Sequence, residues 1–66
     1  MTITANGKAF ELQSGSTLPA FLESLGHKVG LVIVERNQQA LSPSEASDVV
    51  LQDGDTLEIV KIVAGG

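Results

Sequence analysis

The chain has 66 residues, a length that holds one domain and buries only roughly 60% of the surface its unfolded form exposes. Its apolar fraction of 42% comes mainly from Val, Leu, Ile and Ala, enough for one thin core, and a charged fraction of 18% argues against disorder. A net charge of −4, with Lys8, Lys28, Arg36 and Lys61 as the only strong cations, argues against sequence-independent nucleic-acid binding, and the absence of cysteine excludes disulfides, thiolate metal sites and a Cys nucleophile.

No apolar run approaches the ~20 residues of a membrane span, and the N-terminus lacks the basic and apolar pattern of a signal peptide. The expectation is a cytoplasmic protein without membrane contact, monomeric when free.

Residues 2–5 and 8–12 alternate around Asn6-Gly7, a pair suited to a type I′ turn because both central residues take positive φ. Ile3 on one arm and Phe10 and Leu12 on the other mark the apolar faces of a hairpin. Ser14-Gly15-Ser16 breaks the second strand, and Thr17 can cap a helix with Pro19 in its first turn. Leu18, Phe21, Leu22 and Leu25 form one helical stripe, and Gly26 is its left-handed terminator. His27 and Lys28 then sit near the negative end of the helix dipole.

Residues 31–34 are apolar at both parities, which predicts a strand with few exposed positions. Asn37-Gln38 is a turn, 39–41 a short return strand, and Ser42-Pro43-Ser44-Glu45 a loop or a single helical turn. Val49 and Leu51 return to the core, Asp53-Gly54-Asp55 turns the chain, and 56–63 is the final strand. First and last strands can pair in parallel because the helix lies between them as a crossover. This order predicts an α+β fold of the β-grasp, ubiquitin-like type: a mixed sheet of four to five strands with one helix packed on one face.

Residues 1–62 then form the domain, and 63–66 a carrier tail. Two terminal glycines are, by themselves, also compatible with a frayed end. Here they follow a strand directly, with Ala64 before them and no bulky side chain from 64 onward. A strip of four extended residues reaches roughly 13 Å, threads a narrow channel and presents an unhindered carboxylate.

Asn6-Gly7, Val34-Glu35-Arg36-Asn37, Leu51-Gln52-Asp53-Gly54-Asp55 and the terminal Ala64-Gly65-Gly66 together resemble the thiamine-pathway sulfur carrier proteins over the whole chain. The resemblance implies that Gly66 is adenylylated on its carboxylate by an E1-like, ATP-dependent adenylyltransferase. A sulfur-donating enzyme then supplies the sulfur of a C-terminal thiocarboxylate, which passes it to thiazole synthase. Gly66 is the covalent site, with Gly65 and Ala64 giving access. ATP and Mg²⁺ belong to the activating enzyme, so no cofactor is expected on this chain. One departure is local: related carriers often place Val-Pro-Arg after the third strand, where this chain has Leu41-Ser42-Pro43-Ser44.

If Leu57 and Ile59 pack under the helix, Val60 and Ile62 fall on the open sheet face beside the tail. Together with Val63 they are the candidate partner-binding residues, although the strand's own loops could equally cover them. Asp53, Asp55 and Glu58 are candidates for steering basic partners, but a turn role for Asp53-Gly54-Asp55 is favoured. Arg36 and Lys61 are either solvated or matched to acids of a partner. His27 is a surface residue at a helix end. The chain lacks a Cys nucleophile, a His-carboxylate constellation and a phosphate loop, so it is read as a carrier and not as an enzyme. Two alternatives share the fold and tail: a molybdenum-cofactor sulfur carrier, and a ubiquitin-like modifier conjugated through Gly66.

Overall fold

The computed structural model describes residues 1–63. Five strands form one mixed sheet: β1 (Thr2–Ala5), β2 (Lys8–Glu11), β3 (Val32–Arg36), β4 (Gln39–Leu41) and β5 (Thr56–Lys61). The helices are α1 (Leu18–Ser24) and α2 (Pro43–Ser47). The strands lie in the order β2-β1-β5-β3-β4, so the last strand of the chain is the central one. β5 runs parallel to β1 and antiparallel to β3, as expected for a hairpin, a crossover helix and a returning strand.

Both hairpins turn on two residues with positive φ, the pattern of a type I′ turn: Asn6 (51°) with Gly7 (79°), and Asn37 (51°) with Gln38 (70°). Asn6 does a second job. Its side-chain amide donates to the Ile59 carbonyl at 3.1 Å and accepts the Ile59 N–H at 2.7 Å, continuing the β1–β5 pairing past the end of β1. Helix α1 begins on Thr17, whose hydroxyl accepts the Ala20 N–H at 3.3 Å, and ends at Gly26 with φ 82°.

Ser42-Pro43-Ser44-Glu45, expected as a loop or a single helical turn, opens the short helix α2, which runs on to Ser47. Ser42 and Glu45 form a reciprocal capping box, each side chain accepting the other's backbone N–H. The Glu45 carboxyl is held below its usual range by those Ser42 backbone and hydroxyl contacts, which outweigh its desolvation.

Ile3, Leu18, Leu22, Leu51 and Leu57 are the largest fully buried side chains, between the sheet and α1. Val32 and Val34 of β3, with Ile59 of β5, extend this layer, and Ala46 of α2 closes one side. Phe10 meets Phe21 edge-on at 5.1 Å, which packs the edge of the hairpin against the helix. The core thus lies on one face of the sheet, and among the described residues nothing packs over the other face.

Candidate functional site

β5 carries the site because its two faces do different work. Leu57 and Ile59 are buried under the helix, whereas Glu58 and Val60 point to the open face and are exposed. Val60 is 58% exposed and Ile62 52%, and Val63 beyond the strand is 85% exposed. No loop among the described residues covers these three side chains, which decides between the two readings of their burial. Ala64, Gly65 and Gly66 lie outside the described residues.

The third strand differs from its sequence reading. Residues 31–34 were expected to have few exposed positions, but Leu31 is 64% exposed and Ile33 51%. Val32 and Val34 take the core face, leaving Leu31 and Ile33 on the open one. Ile33 lies directly across from Val60. One step further, the Ile62 N–H donates to the Leu31 carbonyl at 3.2 Å, which brings Leu31 beside Ile62. Leu31, Ile33, Val60 and Ile62 therefore form a continuous apolar patch that leads to the end of the chain, a type of surface that marks interaction sites.

At the other end of β5, Asp55 anchors the strand. It is only 6% exposed, and so is not one of the surface acids available for steering. Its Oδ2 accepts the Gln52 N–H at 2.8 Å and Arg36 Nε at 3.0 Å, and its Oδ1 accepts Asn37 Nδ2 at 3.0 Å. A 3.0 Å contact from a second guanidinium nitrogen completes the ion pair. Burial pushes the Asp55 carboxyl up, but the Gln52 N–H, the Asn37 amide, and the hydrogen bond and charge of Arg36 together hold it below its usual value. Arg36 is thus matched within the chain. Asn37 also accepts the Thr56 N–H at 2.9 Å through its Oδ1, tying the β3–β4 turn to the start of β5. Asp53 accepts the Thr2 N–H at 2.7 Å, so both acids of the Asp-Gly-Asp turn satisfy backbone donors.

His27, Lys28 and Lys61 line an open cleft with Leu31, Val32 and Ile62, so the cleft adjoins the apolar patch at Leu31 and Ile62. Among the described residues the only ion pair is Arg36–Asp55, and no His, Asp and Glu group gathers to hold a metal. No helix among them is long and apolar enough to cross a membrane.

A central strand pinned at its start, flanked by a parallel first strand and crossed by one main helix, defines a β-grasp domain of the ubiquitin-like type. Its apolar open face ends where the last residues begin. The chain belongs to the ThiS family, whose model matches residues 1–66.

Two kinds of relative bear on its use. It is similar to the sulfur carrier protein ThiS of Thermus thermophilus, with 38% identity over 61 residues, 92% of this chain and 94% of that one. It is also similar to the thiazole synthase of Magnetococcus marinus, with 38% identity over 66 residues, all of this chain but 20% of the synthase. The chain therefore spans about a fifth of the length of the thiazole synthases it matches. A crystal structure of a thiamine biosynthesis protein, ThiS, from Geobacter metallireducens superposes with a TM-score of 0.80 at 26% identity, covering both chains completely.

Proposed function

We propose that the chain is a sulfur carrier for thiazole formation in thiamine biosynthesis, working in the cytoplasm with residues 63–66 as its tail. The observation that carries this reading is the exposed patch of Leu31, Ile33, Val60 and Ile62, shared between β3 and β5, the last strand before Gly65-Gly66 in the sequence. The names of the relatives support the thiamine pathway over the molybdenum-cofactor alternative. The presence of a matching segment within proteins named thiazole synthase supports thiazole synthase as the partner that takes the sulfur.

The chemistry needs no group on the chain beyond the Gly66 carboxylate. An oxygen of that carboxylate attacks the α-phosphorus of ATP on an E1-like enzyme, and pyrophosphate leaves. The acyl adenylate then has a good leaving group. Hydrosulfide attacks the carbonyl carbon, AMP leaves with the oxygen, loss of the S–H proton gives the thiocarboxylate, and no change of oxidation state occurs. Glycines at 65 and 66 let the carbonyl enter a narrow active site without steric hindrance. The domain contributes docking, so its apolar patch seats on the enzymes while the tail reaches inward.

Docking and tail chemistry are tested together by pyrophosphate exchange into ATP on the E1-like enzyme. The unaltered chain is expected to support exchange. Val60→Asp combined with Ile62→Asp, both on exposed sites, should keep the fold by circular dichroism and lose most of the exchange. Full exchange by the double variant would remove the patch from the account.

A further inference from the structure

We propose that Asn6-Gly7 is a self-modifying site guarded by the fold: Asn6 deamidates when the β1–β2 turn parts from β5, and the product can no longer clasp β5. The site stands apart from the carrier reading, because it does not depend on what the tail carries. Its chemistry needs only water. The Gly7 backbone nitrogen, giving up its proton, attacks Asn6 Cγ; the Cγ–Nδ2 bond breaks and ammonia leaves with that proton. Water then opens the resulting succinimide ring at one of its two carbonyls. Attack at Cγ gives aspartate, and attack at the backbone carbonyl gives isoaspartate, with the chain rerouted through the side chain. Nothing is oxidised or reduced, and the net change is the exchange of NH₂ for OH.

Sequence and geometry both point to residue 6. Glycine leaves the attacking nitrogen unhindered, and a Cβ at position 7 would meet nothing within 4 Å. Both turn residues are exposed to water. Asn37 supplies the comparison: it has the same φ of 51° in the matching turn, but Gln38 follows it, and that side chain crowds the nitrogen that would attack.

In the folded chain the reaction is held back. Asn6 Nδ2 donates to the Ile59 carbonyl at 3.1 Å, Oδ1 accepts the Ile59 N–H at 2.7 Å, and the Asn6 backbone N–H donates to the Leu57 carbonyl at 2.9 Å. These bonds turn Cγ toward β5, whereas ring closure requires it to swing back onto Gly7. The clasp must therefore open first, by local or global unfolding that a marginally stable chain undergoes repeatedly. After reaction the clasp cannot reform as it was. Aspartate puts an oxygen where an NH₂ group faced the Ile59 carbonyl, leaving two acceptors without a proton between them. Isoaspartate adds a backbone carbon to a two-residue turn whose flanks pair Ala5 with Lys8. Either product loosens β1 from the central strand.

The test incubates the unaltered chain in mildly alkaline buffer, native and in guanidinium chloride, and follows it by intact mass with fragmentation. Exchange of NH₂ for OH is expected at Asn6 in both, about tenfold or more slower in the native chain, with Asn37 lagging behind Asn6 in denaturant. Asp55→Asn, which destabilises the fold away from Asn6, should speed the native reaction at Asn6 and leave the rate in denaturant unchanged. Asn6→Asp should lower the thermal midpoint by about 4–15 °C. Equal rates at Asn6 in the native and denatured chain would overturn the guard. Equal rates at Asn6 and Asn37 in denaturant would overturn the role of Gly7, and an unchanged midpoint in Asn6→Asp would overturn the clasp. The rate comparison uses the unaltered chain, so it decides the guard even where Asn6→Asp fails to fold.

Discussion

At the residue scale, Asp55 is the side chain on which the central strand depends most. It is buried, and it accepts from a backbone amide, a side-chain amide and a guanidinium at once. Asn at this position keeps one acceptor and places an NH₂ group against donors. Asp55→Asn should therefore cost about 1.5–3 kcal/mol by urea unfolding, toward the low end because Arg36 keeps part of its surface in water. The effect depends on pH in a definite direction. The folded-state carboxyl lies below the ordinary value of 3.8, so its contribution is complete above that value and is lost as pH falls through the folded one. The gap in urea midpoint between Asp55→Asn and the unaltered chain should therefore narrow steadily in acid below pH 3.8. A constant gap would show that the charge of Asp55 is not what matters. Sequence alone led to Asp-Gly-Asp as a turn and left Arg36 between two uses. Their union was hidden because it spans 19 positions and exists only once β3 lies beside β5.

At the scale of elements, local chemistry was legible and facing direction was less so. Asn6-Gly7 announces its hairpin, and the stripe of Leu18, Phe21, Leu22 and Leu25 announces α1, because each signal is complete within a few residues. Only Leu25 departs from it, standing at the C-cap and exposed where the helix has already ended. The run 31–34 was misleading. An apolar run has no parity, so burial on both faces and burial on one face with an exposed patch on the other look the same in sequence. The second hairpin shows the opposite economy: it uses Gln38 at φ 70°, where glycine is usual. Relief of that left-handed strain exceeds the entropy that glycine adds to the unfolded chain. Gln38→Gly is accordingly expected to raise stability by roughly 0.5–1 kcal/mol in a urea titration. A loss of stability would mean that the Gln38 side chain contributes more than its backbone costs.

For the whole molecule, the architecture concentrates its resources on one strand. β5 is central, it is clasped by Asn6, Asp55 and Asn37, and every neighbour it pairs with holds it in register. With about 3–10 kcal/mol of total stability expected for a chain this short, such fastening at the start and middle of β5 fixes the register of the central strand. The chain belongs to the ThiS family and matches segments of proteins named thiazole synthase. The most direct measurement is the intact mass of the chain after incubation with ATP, the E1-like adenylyltransferase and a sulfur source. The predicted result is a gain equal to the exchange of one oxygen for sulfur, located at Gly66 by fragmentation and abolished by deleting Gly66. An unchanged mass, a modification elsewhere, or isopeptide conjugates to other proteins in place of the exchange would contradict it.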